Sequence, residues 1–126
     1  MPSIERPLAG DVLVFDLEEE EAEADMPELL ERSGRNARTL LKSGPLRVTL
    51  VVLGPGGEIP EHSAPGPITV QPVRGRIQFV AGGETYDLGS GDLLSAGPDV
   101  DHSVSSEQGA SFLLTVAHPD AGSERV

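Results

Sequence analysis

From Asn36 onward the chain is cut into short apolar runs by glycine- and proline-rich punctuation, and this most constrains what it can become. Thr39–Lys42 and Leu46–Leu53 are separated by Ser43-Gly44-Pro45, and Gly54-Pro55-Gly56-Gly57 ends the second run. Ile68–Val73 follows, then Arg76–Val80 and Glu84–Leu88 around Ala81-Gly82-Gly83. Gly89-Ser90-Gly91 turns the chain again before Asp92–Ala96, and Phe112–Ala117 closes the series. Such breaks leave no room for long helices. Short runs rich in Val, Leu, Ile and Thr between turn signals predict an all-β barrel or sandwich, with 76–88 as a hairpin.

The side-chain supply agrees. There are one Tyr, three Phe and no Trp, so the core must come from aliphatic residues, and the β-branched ones favour strands. A chain of 126 residues can bury roughly two-thirds of its unfolded surface, enough for one core without staples. We therefore expect a single domain over 1–126 with its core at about 36–118. Both alternating faces of Leu46–Leu53 are apolar, which predicts burial on both sides, in a sandwich core or at a subunit contact.

Ahead of this region, Asp11–Leu17 (DVLVFDL) reads as a first strand. The acidic tract Glu18–Glu23 reads as a helical turn or a solvated loop whose like charges face water. In DMPELLERSG, Pro27 suits a first helical position and Gly34 a C-terminal cap, so one short helix is expected near 27–33. The closing AGSERV is expected to fray.

Charge and composition exclude several roles. The absence of cysteine removes disulfides and thiolate metal sites and suits a reducing compartment. A net charge of -12 repels phosphate backbones and anionic lipid, so neither nucleic acid nor a membrane surface is an expected partner. The run Val48–Leu53 is far too short to span a bilayer, and the opening MPSIERPLAG lacks the basic-then-apolar pattern of a signal peptide. A cytoplasmic protein is expected. No phosphate loop and no Gly-x-Ser-x-Gly elbow occur. The abundant carboxylates occupy turns and the acidic tract, so they single out no general acid/base pair.

Two stretches carry a family resemblance. The first is Gly57-Glu-Ile-Pro-Glu-His62-Ser-Ala64-Pro-Gly-Pro-Ile68-Thr-Val-Gln71-Pro-Val-Arg-Gly75, and the second is Gly91-Asp92-Leu-Leu-Ser-Ala-Gly97-Pro98-Asp99-Val-Asp-His102. In order, with a hairpin between them, they resemble the two conserved motifs of the cupins, across about residues 46–117. The resemblance implies a double-stranded β-helix, that is, a jelly-roll barrel, with a short N-terminal helix outside it. It also implies a homodimer. In that family two His and a Glu of the first motif and a His of the second hold a divalent metal. Here those positions are His62, Ala64, Ile68 and His102, so two of the four cannot ligate. Asp99 stands where the second motif has Gly, and Asp can take the left-handed turn that Gly would occupy.

His62 and His102 are thus the candidate metal ligands and, with Ala64 and Ile68, the expected lining of one pocket. Gln71 joins that lining only if a bulge reverses the alternation, because Ile68, Val70 and Pro72 would otherwise point inward and Gln71 outward. Two imidazoles alone predict weak, exchangeable divalent metal. His118 is expected to be an exposed residue, and Glu58, Glu61, Asp99 and Asp101 to lie in solvated loops. Arg47, Arg74 and Arg76 could supply positive charge to a ligand, although salt-bridged surface roles are the plainer expectation. Three functions remain open: a small-molecule-binding or non-catalytic cupin with a degenerate metal site, a metal-dependent dioxygenase- or isomerase-type enzyme, and a structural or regulatory homodimer with a vestigial pocket.

Overall fold

The computed structural model describes residues 8–118. Two helices come first, α1 (Leu17–Ala24) and α2 (Pro27–Ser33). Nine strands follow: β1 (Arg35–Ser43), β2 (Leu46–Leu53), β3 (Glu58–His62), β4 (Ile68–Gly75), β5 (Ile77–Ala81), β6 (Glu84–Leu88), β7 (Leu94–Ala96), β8 (His102–Ser105) and β9 (Ala110–Ala117). They form a five-stranded sheet in the order β1-β2-β9-β4-β7 and a four-stranded sheet in the order β3-β8-β5-β6. The paired strands are antiparallel. The core lies between the sheets. Val51, Leu53, Ile68, Val70 and Phe112 come from the larger sheet, and Ile77, Phe79 and Val104 from the smaller. No helix among the described residues is long and apolar enough to cross a membrane. AGSERV lies outside the described residues.

The N-terminal region differs from its sequence reading. Residues 11–16 form no strand, and Val12 and Val14 are 83% and 89% exposed, so the apolar alternation has no partner to pair with. Asp16 explains the change. Its carboxylate accepts from the Glu18 and Glu19 amides and starts a helix whose first turn is acidic, which the helix dipole favours. There are therefore two helices rather than one.

The acidic tract takes the helical form of its two readings, and three of its carboxylates are tied down while Glu18 and Glu19 face water. The Arg38 guanidinium on β1 bonds Glu20 at 2.6 Å and Glu23 at 2.7 Å, and Arg74 on β4 bonds Glu21. Asn36 Nδ2 donates to the Ala24 carbonyl at the helix end. α1 packs on β1 and β2. This answers the two-sided apolarity of β2 within the chain. Val51 and Leu53 face the core between the sheets, whereas Leu50 and Val52, both 0% exposed, belong to the opposite face, toward the helices. Burying two such side chains is worth about 1.5–3 kcal/mol each. No subunit contact is needed to explain it.

α2 begins at Pro27 and ends at Gly34, whose φ of 80° suits a residue without Cβ. The Gly34 carbonyl accepts the Gly54 amide at 3.0 Å, and a Cβ on Gly57 would run into that same carbonyl oxygen. The two glycines ending the β2 run are thus where the helical segment rests against the barrel.

Candidate functional site

β3 and β8, the two strands that carry the histidines, were not anticipated as strands. Glu58 and Glu61 lie on β3, exposed, rather than in a loop. β3 has a register irregularity between Ile59 and His62, after which His62 sits directly opposite His102. Their ring centroids are 4.4 Å apart at 64°. Residues 40 positions apart in sequence therefore meet as a cross-strand pair. His102 is 4% exposed and on the same face of β8 as the core residue Val104; His62 is exposed.

Both rings are oriented the same way. His62 Nδ1 lies 2.9 Å from the Pro60 carbonyl, and His102 Nδ1 lies 2.9 Å from the Val100 carbonyl. A carbonyl only accepts, so each Nδ1 carries the proton and donates, which leaves each Nε2 lone pair for a ligand. Phe79 stacks on His102, with centroids 5.0 Å apart and planes 17° apart. Asp99 adopts φ 63°, as a Gly replacement must, and its amide donates to the Ala64 carbonyl at 2.8 Å. This bond ties the turn of the second motif to the middle of the first.

The other two positions, where the cupin motif has ligands, belong to or pack against the hydrophobic core. Ile68 is 3% exposed within the core, and Ala64 packs against it, half-buried. Gln71 is a correction. It is exposed on β4 while Ile68, Val70 and Pro72 are buried, and the strand's register irregularity falls between Pro72 and Arg74, too late to turn it inward. No group of three or more His, Cys, Asp or Glu side chains among the described residues could hold a metal ion. The donor set does not fit the four-ligand metal of the family.

A cleft of about 540 Å³ opens beside the histidine pair, between the β5–β6 hairpin and β7. Phe79, Tyr86, Leu88, Leu93, Leu94 and Val100 contribute to its walls. Neither histidine lines it, nor do Gln71, Ala64 or Ile68. Phe79 joins the two places, since the residue is part of the cleft lining and its ring stacks on His102. Leu93 is 65% exposed and Tyr86 42% exposed at this cleft. The sequence signal for it was Leu93-Leu94, two adjacent apolar residues in a segment read simply as a strand.

The arginines divide. Arg74 is paired with Glu21 and Arg76 with Asp87 at 3.2 Å, as expected of surface cations. Arg47 has no ion pair among the described residues, and its Nε is buried without a partner. His118 is half-buried rather than exposed, because its backbone amide is held by the Pro45 carbonyl at 2.6 Å.

No known family model matches the sequence, and no curated protein matches it significantly. Solved structures do. A conserved protein of unknown function from Streptococcus pyogenes superposes with a TM-score of 0.68 at 23% identity, over 91% of this chain and 95% of that one. A cupin-2 domain protein from Shewanella frigidimarina gives 0.68 at 11% identity, over 83% and 95%. An RmlC-like cupin with a double-stranded β-helix from Methanocaldococcus jannaschii gives 0.64 at 15% identity, over 70% and 84%. The chain has the cupin fold, the double-stranded β-helix that its two motifs imply.

Proposed function

We propose that this chain is a small-molecule-binding cupin whose metal centre has degenerated, and that its ligand enters the apolar cleft between the β5–β6 hairpin and β7. One observation carries the reading: Phe79 is shared by the cleft wall and the His102 ring. A ligand in the cleft would be one residue away from the imidazole, with Phe79 between them. A volume of about 540 Å³ falls within the roughly 300–1,000 Å³ of small-molecule sites. The walls supply mostly apolar area, with Ser95 among the lining residues.

The chain contains its own reporter. Tyr86, the one tyrosine, lines the cleft, and there is no tryptophan to mask it. The neutral probe N-phenyl-1-naphthylamine is expected to gain fluorescence on binding and to quench Tyr86 by energy transfer. Leu93→Asp, at an exposed position, should weaken that binding with little effect on the fold. Probe binding that is indifferent to Leu93→Asp, or that leaves Tyr86 emission unchanged, refutes the assignment.

The metal-dependent reading keeps one observation in its favour, the two Nε2 atoms freed by the Nδ1 bonds. It requires a third donor, which no His, Cys, Asp or Glu among the described residues supplies.

A further inference from the structure

A second pocket has the opposite chemistry. Lys42, Arg47, Val116 and Ile68 stand in register across β1, β2, β9 and β4. Cross-strand partners share a face, and Ile68 and Val116 pack into the core, so Lys42 and Arg47 lie on the inner face of the five-stranded sheet. There Lys42, Arg47, Thr49, Val116 and His118 help line a hollow of about 260 Å³.

Its electrostatics are unusual for this protein. Two cations directly opposite each other on neighbouring strands repel, which is a destabilising arrangement. The chain has 21 Asp and Glu residues against 9 Lys and Arg, and Arg38, Arg74 and Arg76 each find a carboxylate. Lys42 and Arg47, like Arg32 and Arg35, have no such partner among the described residues, but only Lys42 and Arg47 face each other across a strand pair. Arg47 Nε and His118 Nδ1 are both buried without a hydrogen-bond partner. A buried guanidinium N–H left unmade is costly, and an ordered anion would satisfy it.

We infer that this hollow is a binding site for a small oxyanion, the carboxylate or phosphate group of a metabolite, held by Arg47 and Lys42 with Thr49 and His118 as further polar contacts. The guanidinium presents a planar fork suited to two oxygens of one group, and the ammonium adds a point charge. The volume lies below that of drug-sized sites, which fits an anion of a few heavy atoms. The site is separate from the apolar cleft, so either can fail without the other.

The test is a titration of the full chain with inorganic phosphate and, separately, with succinate, at ionic strength held constant with sodium chloride. Amide chemical shifts are read in the wild type, Arg47→Met and Lys42→Met. Saturable one-to-one binding is expected for at least one probe, with shifts centred on 42, 47, 49 and 116–118. Each substitution should weaken it about tenfold or more. Preference for phosphate assigns phosphate esters as the ligand class, and preference for succinate assigns carboxylic acids. Shifts that chloride reproduces, or an affinity unchanged in the variants, overturn the inference. Lys42 is exposed, so Lys42→Met decides the matter if Arg47→Met fails to fold.

Discussion

Phe79 is where fold, histidine pair and cleft meet, and its removal gives the sharpest test. The ring is 1% exposed and stacked on His102 at 5.0 Å. Phe79→Ala should cost about 3–5 kcal/mol, from lost transfer free energy and the cavity left behind. Against a total stability of roughly 5–15 kcal/mol this is a large share. With a urea slope of about 2 kcal/mol/M the midpoint should fall by about 1.5–2.5 M. Far-UV circular dichroism can follow it, since the chain lacks Trp. Phe79→Leu separates volume from ring chemistry: repacking costs under about 1.5 kcal/mol, and loss of the stack adds about 0.5–1.5 kcal/mol. In a His102→Ala background the stack is already absent, so only the repacking cost should remain. The double-mutant coupling should therefore equal the stacking energy. Coupling below about 0.3 kcal/mol would show that the rings merely lie near each other, and the link between cleft and imidazole would lose its basis.

Three other perturbations test the supporting structure. Gly57→Ala should destabilise by about 1–3 kcal/mol, because its Cβ meets the Gly34 carbonyl oxygen and lies 2.9 Å from that of Gly54; hydrogen exchange should show the Gly54 amide losing protection. Arg38→Ala removes both ion pairs to α1 and should cost about 1 kcal/mol at low salt. That difference should shrink in 1 M salt by thermal melting; if it persists, packing of the arginine stem carries it instead. Zinc or manganese added at its own dissociation constant stabilises by only about 0.4 kcal/mol. With two imidazoles as donors, millimolar metal is expected to raise the melting temperature by less than about 2 °C. A rise above about 5 °C that His62→Ala abolishes would reveal a third donor.

The parts of the fold legible in the sequence are those with local causes. Gly44, Gly82 and Gly83 have positive φ in the hairpin turns they signalled, and Glu84–Leu88 forms a strand with the bounds its flanking glycine turns implied. Asp99 in the left-handed region follows from the same local chemistry. Asp11–Leu17 misled because alternation describes a strand only when a partner strand is available, and here Asp16 starts a helix instead. β3 and β8 were missed because each is short and polar and is held by pairing across the barrel rather than by its own composition. The acidic tract hid its role for a related reason. Glu20, Glu21 and Glu23 find Arg38 and Arg74 only after the sheet has brought β1 and β4 beneath them.

The site shows the same division with a consequence for function. Motif spacing brought His62 and His102 face to face, because the turns that set that spacing are local. Ala64 and Ile68, at positions where the cupin motif has ligands, follow the packing of the barrel instead. Ile68 occupies a row across the inner face of the sheet, with Ala96 and Val116, and all three pack against or within the core. A polar ligand side chain there would need a metal to offset its burial, whereas an aliphatic one packs without it. The same row ends in Arg47 and Lys42. Polarity on this face therefore lies at the β1–β2 end rather than at the ligand positions of the motif, and no motif records that shift. The inner surface pairs an apolar cleft on the β7 side with a cationic hollow on the β1 side.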